Sequence, residues 1–422
     1  MNPPPLGELA RLWFRLGFIS FGGPAGQIAI MHHELVERRR WISEGHFLHA
    51  LNYCMLLPGP EATQLAIYTG WLTHRVRGGI LAGTLFILPG LGMLWALGWL
   101  YMAYGTLPWV AALFYGLKPA VVAIIIAALV RIGSRVLTTP VLWGVAGAAW
   151  VMLGFLDVPF PAVILGAGAL GMVGYRWRPA LFSGGAMVPG LPAEPASGGA
   201  SRGAGWRGAV RVACWGMIAW WAPVVAALAW QGPEGIFFTM GWFFSKAAVV
   251  TFGGAYAVLP YVSRQAVERF GWIAPGQMLD GLGLAETTPG PLIMVLEFVG
   301  FVGGWQNPGT LAPLAAATLG AAITVWVTFV PSFLWVLLGA PWVERMRGHA
   351  MLSAGLSAVT AAVVGVIFNL ALWFGHQVIF PGPGMDFAAL LLSLVVLAGL
   401  LRWKWNLVAV VLGSALAGLA LA

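Results

Sequence analysis

WFRLGFISFGGPAGQIAI, residues 13–30, is apolar enough to enter a bilayer, yet Phe21-Gly22-Gly23-Pro24 interrupts it in the middle. A second apolar region, 43–74, is interrupted at Pro58-Gly59-Pro60. Both interruptions recur 231 residues later: FSKAAVVTFGGAYAVLPY, residues 244–261, carries Phe252-Gly253-Gly254, and the region 274–304 carries Pro289-Gly290-Pro291. The same offset takes Glu37, Arg38, Trp41 and Ile42 onto Glu268, Arg269, Trp272 and Ile273, and 15 of 62 ungapped positions between 13–74 and 244–305 are identical. One constant offset through separate motifs marks an internal duplication.

The rest of the chain says where such a duplicated unit lives. Of 422 residues, 60% are apolar and 9% are charged, and the mean hydropathy is +0.85. A soluble domain carries about 25% charged residues, so soluble enzymes, nucleic-acid binders and secreted disulfide scaffolds are excluded. The net charge of +8 then reads as basic cytoplasmic loops, with no nucleic-acid partner. The two cysteines, Cys54 and Cys214, lie in apolar segments. The N-terminus lacks the basic, apolar and small-residue pattern of a cleaved signal.

A bilayer core about 30 Å thick needs roughly 20 apolar residues per helical crossing. Uninterrupted stretches run at about 78–104, 107–130, 138–156, 158–175, 209–230, 310–340, 350–375, 386–401 and 405–421. The Gly-, Pro-, Ala- and Ser-rich text from 176 to 208 cannot bury enough apolar surface to offset its ordering entropy. The expected organisation is an N-terminal repeat over 1–175, a flexible linker over 176–208, a connecting transmembrane helix over 209–230 and a C-terminal repeat over 231–422. The fold class is an all-α polytopic membrane protein of two repeats with broken helices. With an even number of crossings per half, the connecting helix inverts the second repeat. Arg75/Arg77, Arg131/Arg135, Arg176/Arg178, Arg345/Arg347 and Arg402/Lys404 then fall inside with a cytoplasmic N-terminus. Each interrupted region either crosses once or returns as a hairpin, and only loops 31–42 and 264–273 tell the two apart.

In hydrocarbon every backbone polar group needs a partner, so a broken helix survives only where it is buried in protein or lines a polar cavity. Pro58 and Pro60 force the chain out of helix and place Pro60 as the first residue of a new one. Free N–H groups follow at Glu61, Ala62 and Thr63, and by the repeat after Pro291 and after both FGG turns. Helix N-termini inside a bilayer are anion sites, although glycine and proline also serve close packing and kinks. Arg15 and Lys246 form a second matched pair, each six residues before its Phe-Gly-Gly. A cation there costs about 2.5–3.5 kcal/mol, which a bound dianion would offset, as would snorkelling to the interface. Glu61 and Glu286 flank the proline motifs and either pair with those cations, bind protons in a transport cycle or, for Glu61, complement a helix dipole. Asp280 and Glu297 have weaker claims, and Lys118, without a charged counterpart, reads as interfacial. His46 and His49 with Cys54 make a poor metal set, since Cys54 is more than a turn beyond His49. No metal or cofactor motif is visible, and an enzyme is the less economical reading.

RLGFISFGGPAGQIAIMHHELVERRRWI, LLPGPEATQLAIYTGW, TFGGAYAVLPYV and AETTPGPLIMVLEFVGF together resemble the chromate ion transporter family in its long form with two homologous halves. That resemblance implies a bacterial inner-membrane carrier that expels chromate, a sulfate-like dianion, using the proton-motive force. It assigns the binding motif to Arg15, Phe21, Gly22, Gly23, Pro24, Pro58, Gly59, Pro60, Lys246, Phe252, Gly253, Gly254, Thr288, Pro289, Gly290 and Pro291, with Glu286 beside them. Two positions depart from it: Ala255 stands where the first half has Pro24, and Glu297 stands where a neutral polar residue is expected. The implied partners are a small inorganic oxyanion, chromate or sulfate, and the lipid bilayer. A homo-oligomer is compatible with the sequence.

Overall fold

The computed structural model describes residues 4–21, 23–182, 206–252, 254–340, 350–382 and 384–421, and every regular element among them is helical. Gly22, Gly253, Arg345, Arg347 and most of the expected linker, 183–205, lie outside the described residues. Helical structure continues past the expected start of that linker, to Phe182, and resumes at Trp206.

The first interrupted region forms α1 (Leu6–Ile19) and α2 (Gly23–His32), the latter prolonged by a π-helical turn over His33–Arg38. These arms fold back on each other. Arg39, just beyond the turn, bonds Glu8 at the start of α1 (2.6 Å), and buried Glu34 takes Arg38 (2.8 Å) and Arg39 (3.4 Å). Loop 31–42 therefore returns to the side from which α1 sets out. The second region forms α3 (Glu44–Leu56) and the first part of α4 (Glu61–Tyr104). Here Tyr53 and Tyr68 meet across the hairpin at 5.5 Å. Pro60 is the N-cap and Glu61 the first helical residue, one position later than the sequence suggests.

α4 is not one rod. It reverses at His74 (φ −134°, ψ 29°) and Arg75 (φ 53°, ψ −142°). After the reversal Gly78 lies against the Gly70 backbone and Gly83 against Ile67, because glycine lets two helical backbones approach without a Cβ between them. The long arm, 76–104, then runs beside α1 in the same direction: Trp13 meets Phe86 edge-on, and Gly17 faces the carbonyls of Leu85 and Phe86.

The second half repeats this plan. α10 (Ile236–Val250) and α11 (Ala255–Arg264, prolonged by a π-helical turn to Arg269) fold back, so that Trp272 packs on Phe243 and Phe244. α12 (Pro275–Thr287) is followed by a 3₁₀ turn (Leu292–Met294) and α13 (Val295–Gln306), with Phe298 filling the space at Gly281. α14 (Pro313–Gly339) corresponds to the long arm of α4. Arms of 13–15 residues reach about 20 Å at 1.5 Å per residue, short of a bilayer core.

Outside the hairpins stand α5 (Pro108–Val136), α6 (Pro140–Gly154), α7 (Phe160–Trp177), the one-turn α8 (Pro179–Phe182), α9 (Trp206–Gln231), α15 (Ala350–Ile379), α16 (Phe387–Arg402) and α17 (Leu407–Leu421). Their packing is reciprocal: α5 lies against α16 and α17 of the other half, and α15 lies against α6 and α7. Glycines permit the close crossings, Gly116 against Gly418 and Gly365 against the Ala146 backbone. Among the described residues, five helices are long and apolar enough to cross a membrane by length and composition: Glu61–Tyr104, within which the crossing arm is 76–104, Pro108–Val136, Gly208–Gln231, Pro313–Gly339 and Ser353–Ile379. Exposed Trp143, Phe155, Leu165, Leu391 and Leu416 form an apolar exterior suited to lipid.

Candidate anion site at the hairpin tips

The four hairpin tips meet, and they meet crosswise. The Gly290 N–H donates to the Ser20 carbonyl (2.9 Å), joining the second PGP tip to the residue before the first FGG. The Gly59 N–H donates to the Thr251 carbonyl (2.7 Å), joining the first PGP tip to the residue before the second FGG. Adding 231 to Ser20 and Gly59 gives Thr251 and Gly290, so the two bonds are repeat-related. Each satisfies one backbone donor and one acceptor freed where a helix breaks, as burial demands. The polar tips thus stabilise one another across the halves.

The two junctions differ in their side chains. At the first, Gln64 Nε2 donates to the Pro58 carbonyl (2.8 Å), and a Cβ added at Gly59 would stand 2.5 Å from Ser332 Oγ and 2.8 Å from Gln64 Nε2. Thr63, Gln64 and Ser332 are buried, and Thr63 Oγ1, Gln64 Oε1 and Ser332 Oγ have no hydrogen-bond partner. No side chain caps the start of α4. Glu61, in the first turn, reaches across: its Oε1 lies 3.8 Å from where a Gly254 Cβ would be. At the second junction buried Gln27 spans the tips, its Nε2 donating to Gly290 (2.5 Å) and Ser20 (3.3 Å) carbonyls. Ser20 Oγ and Gln27 Oε1 are buried there without partners.

The other expected residues fall around these junctions. Phe21, Pro24 and Phe252 are half-buried at the tips, and Pro58, Pro60, Pro289 and Pro291 form the turns. Pro289 packs its carbonyl on Gly90, and Thr288 Oγ1 donates to the Ala285 carbonyl (3.1 Å). Buried Glu286 accepts from the Tyr256 hydroxyl (2.5 Å), a bond between α12 and α11, and bonds neither Arg15 nor Lys246. Those cations occupy exposed faces of α1 and α10, one turn short of the tips. Lys246 stands over the Trp242 ring at 5.5 Å, and Arg15 faces Glu34 electrostatically. The structure brings the FGG and PGP motifs together and leaves the two cations at their periphery.

Lys118, partly exposed, has a charged partner that the sequence did not indicate. Its Nζ lies 3.7 Å from Oδ1 of buried Asp280, whose Oδ2 accepts from the Tyr101 hydroxyl (2.8 Å), so α4, α5 and α12 are linked by a partly buried ion pair. A charge with no sequence counterpart in its own repeat finds its partner in the other half. His46 bonds Ser43 (2.8 Å), and no group of three or more metal-ligating side chains occurs among the described residues. Gln27, Gln64, Ser332 and Tyr256 were overlooked in the sequence because each lacks a repeat equivalent of like character. For Gln27, Gln64 and Tyr256 the signal available was a polar residue within about a turn of a break in an apolar segment; Ser332, inside the continuous α14, offered none.

The chromate transporter family profile matches residues 7–172 and 238–419, one region on each side of α9. A chromate transport protein of Pseudomonas aeruginosa is 34% identical over 435 aligned residues, covering 99% of this chain and 93% of that one. One of Cupriavidus metallidurans is 29% identical over 420, covering 98% and 92%. An uncharacterised transporter of Bacillus subtilis, YwrA, is 24% identical over 183 residues, which span 42% of this chain but 94% of its own. No solved structure matches the chain.

Proposed function

Because the chain belongs to the chromate transporter family, we propose that it is a secondary active transporter expelling chromate across the bacterial inner membrane, driven by the proton-motive force. The observation that carries this reading is the crossed pairing of the FGG and PGP tips, which gathers uncapped helix starts and unpartnered buried donors inside the bundle. Such a site suits a desolvated oxyanion. The hairpin arms, too short to cross, hold near mid-depth the tips that carry Phe21, Pro24, Pro58–Pro60, Phe252, Gly254 and Thr288–Pro291, and the anion binds where tips meet. Arg15 and Lys246, one turn away, draw the dianion toward the tips. Glu61 and Glu286 are the proton-carrying candidates. An even number of crossings in the first half, followed by α9, would leave the second repeat inverted, as alternating access between related halves requires. Direction follows from charge: moving a dianion out of a negative interior gains about 4.6 kcal/mol per 100 mV, twice the single-charge value.

Uptake of labelled chromate into inside-out vesicles, energised and then collapsed with an uncoupler, tests the proposal. Accumulation that disappears with the gradient supports it, and the absence of accumulation refutes it. Hydroxyl and backbone N–H donors recognise charge and size rather than the central atom, which favours sulfate as a second substrate. Competition by sulfate, molybdate and phosphate in the same assay ranks them.

A further inference from the structure

The sequence carries every tip motif twice, which suggests two equivalent anion sites. The side chains around the tips do not repeat. Thr63 and Gln64, in the first turn after Pro60, correspond to Met294 and Val295 after Pro291. Ser332 of α14 stands over Gly59, whereas Gly90 of α4 stands over Gly290 and offers no side chain. The space beside Gly290 is taken by the Met294 thioether, with Sδ and Cε 2.9 Å from where a Cβ would be. Gln27 has both amide hydrogens engaged, on the Ser20 and Gly290 carbonyls, while Gln64 has one engaged and one spare.

The Ser332 and Thr63 hydroxyls also differ from those that bond within their own helix. Helical Ser and Thr commonly satisfy themselves on the carbonyl three or four residues back. Thr69, Thr239, Thr251, Thr318, Ser357 and Thr360 do so here. Ser332 and Thr63 do not, although each is nine-tenths or more buried. Ser20, Ser263, Thr324 and Thr328 are also buried without partners, and among these hydroxyls Ser332 is the one that stands over Gly59 and Thr63 the one in the first turn after Pro60. A buried hydroxyl left without a partner costs about 1–3 kcal/mol, which a ligand accepting from it offsets.

Resting on the transport reading above, we propose that the chain has one oxyanion site, at the junction of Pro58–Pro60 with Thr251, Phe252 and Gly254. Ser332, Thr63 and the spare Gln64 N–H are its side-chain donors. The repeat-related junction of Ser20 with Gly290 keeps an unpartnered hydroxyl in Ser20, but Gln27 has no spare amide hydrogen there and Gly90 offers no side chain, and it binds no anion. Duplication supplied the paired scaffold, and divergence of its side chains left a single tetrahedral-dianion site.

The test is calorimetric titration of chromate into the full-length protein in lipid nanodiscs, with chromate flux in vesicles measured alongside. One anion per chain is expected. Ser332→Ala and Thr63→Val each raise Kd about tenfold or more, the effect of losing one hydrogen bond to a charged group. Thr63→Ser, which keeps the hydroxyl, restores Kd to within twofold of the wild type, separating donor loss from misfolding. Ser20→Ala, at the other junction, changes Kd less than twofold. Two anions per chain, or weakening by Ser20→Ala with none by Ser332→Ala, overturns the proposal while leaving transport standing. A wild-type protein that neither binds nor moves chromate overturns the transport reading and the single site with it.

Discussion

Gln27 is the perturbation that best isolates the crossed architecture. Gln27→Met preserves length and approximate volume but removes the amide that donates to Gly290 (2.5 Å) and Ser20 (3.3 Å) carbonyls. The Ser20 carbonyl keeps its bond from the Gly290 N–H (2.9 Å), so only the Gly290 carbonyl loses a short side-chain donor. Orphaning one buried acceptor costs about 1–3 kcal/mol, and the longer bond adds little. The opening equilibrium of this junction should rise by about 5- to 150-fold, at 1.4 kcal/mol per tenfold. Hydrogen–deuterium exchange, followed on peptides spanning 288–292 and 57–61, reads this directly. Protection in the first peptide should fall by that factor, and protection in the second, held by Gly59 to Thr251, should hold within twofold. Unchanged protection at 288–292 would refute the clamp. Equal loss at both junctions would mean global loosening and refute its local character.

Three further expectations concern other parts of the molecule. In a Cys-free background, single cysteines at 39 and 133 are labelled from the same side of the membrane and one at 306 from the opposite side, because the Arg39–Glu8 bond returns loop 31–42 to the origin of α1; labelling of 39 together with 306 contradicts the hairpin. Arg15→Gln and Lys246→Gln each cut chromate flux at least tenfold with insertion intact, while Arg15→Lys keeps part of it, having lost only the bidentate fork; near-normal flux in both neutral variants makes the cations interfacial anchors. Lys118→Met leaves the buried Asp280 carboxylate with only its Tyr101 bond and destabilises the protein by about 2–4 kcal/mol, below the roughly 3–5 kcal/mol for breaking a fully buried pair because Lys118 is partly exposed. Thermal unfolding in detergent should show most of that loss recovered in Lys118→Met/Asp280→Asn, and no recovery refutes the pair.

The local order of this protein was legible in its sequence. Apolar runs long enough to cross, such as 107–130 and 310–340, correspond to α5 and α14 because lipid leaves a buried backbone no choice but helix. At Pro-Gly-Pro, proline removes donors and glycine tolerates the left-handed turn seen at Gly59 (φ 131°) and Gly290 (φ 113°). The duplication was legible too, since a constant offset needs no coordinates.

What the sequence left open was partnership. Whether 31–42 returns or crosses depends on Arg39 finding Glu8, and the fate of Lys118 depends on Asp280 in the other half. The hydrogen bonds from Gly290 to Ser20 and from Gly59 to Thr251 join residues 270 and 192 positions apart. Periodicity and motif report what each segment demands locally: a backbone satisfied, an apolar face covered. Which distant segment meets the demand is settled only when both halves pack together, and the inequality of the two junctions arises there, from Ser332 over one glycine and Gly90 over the other.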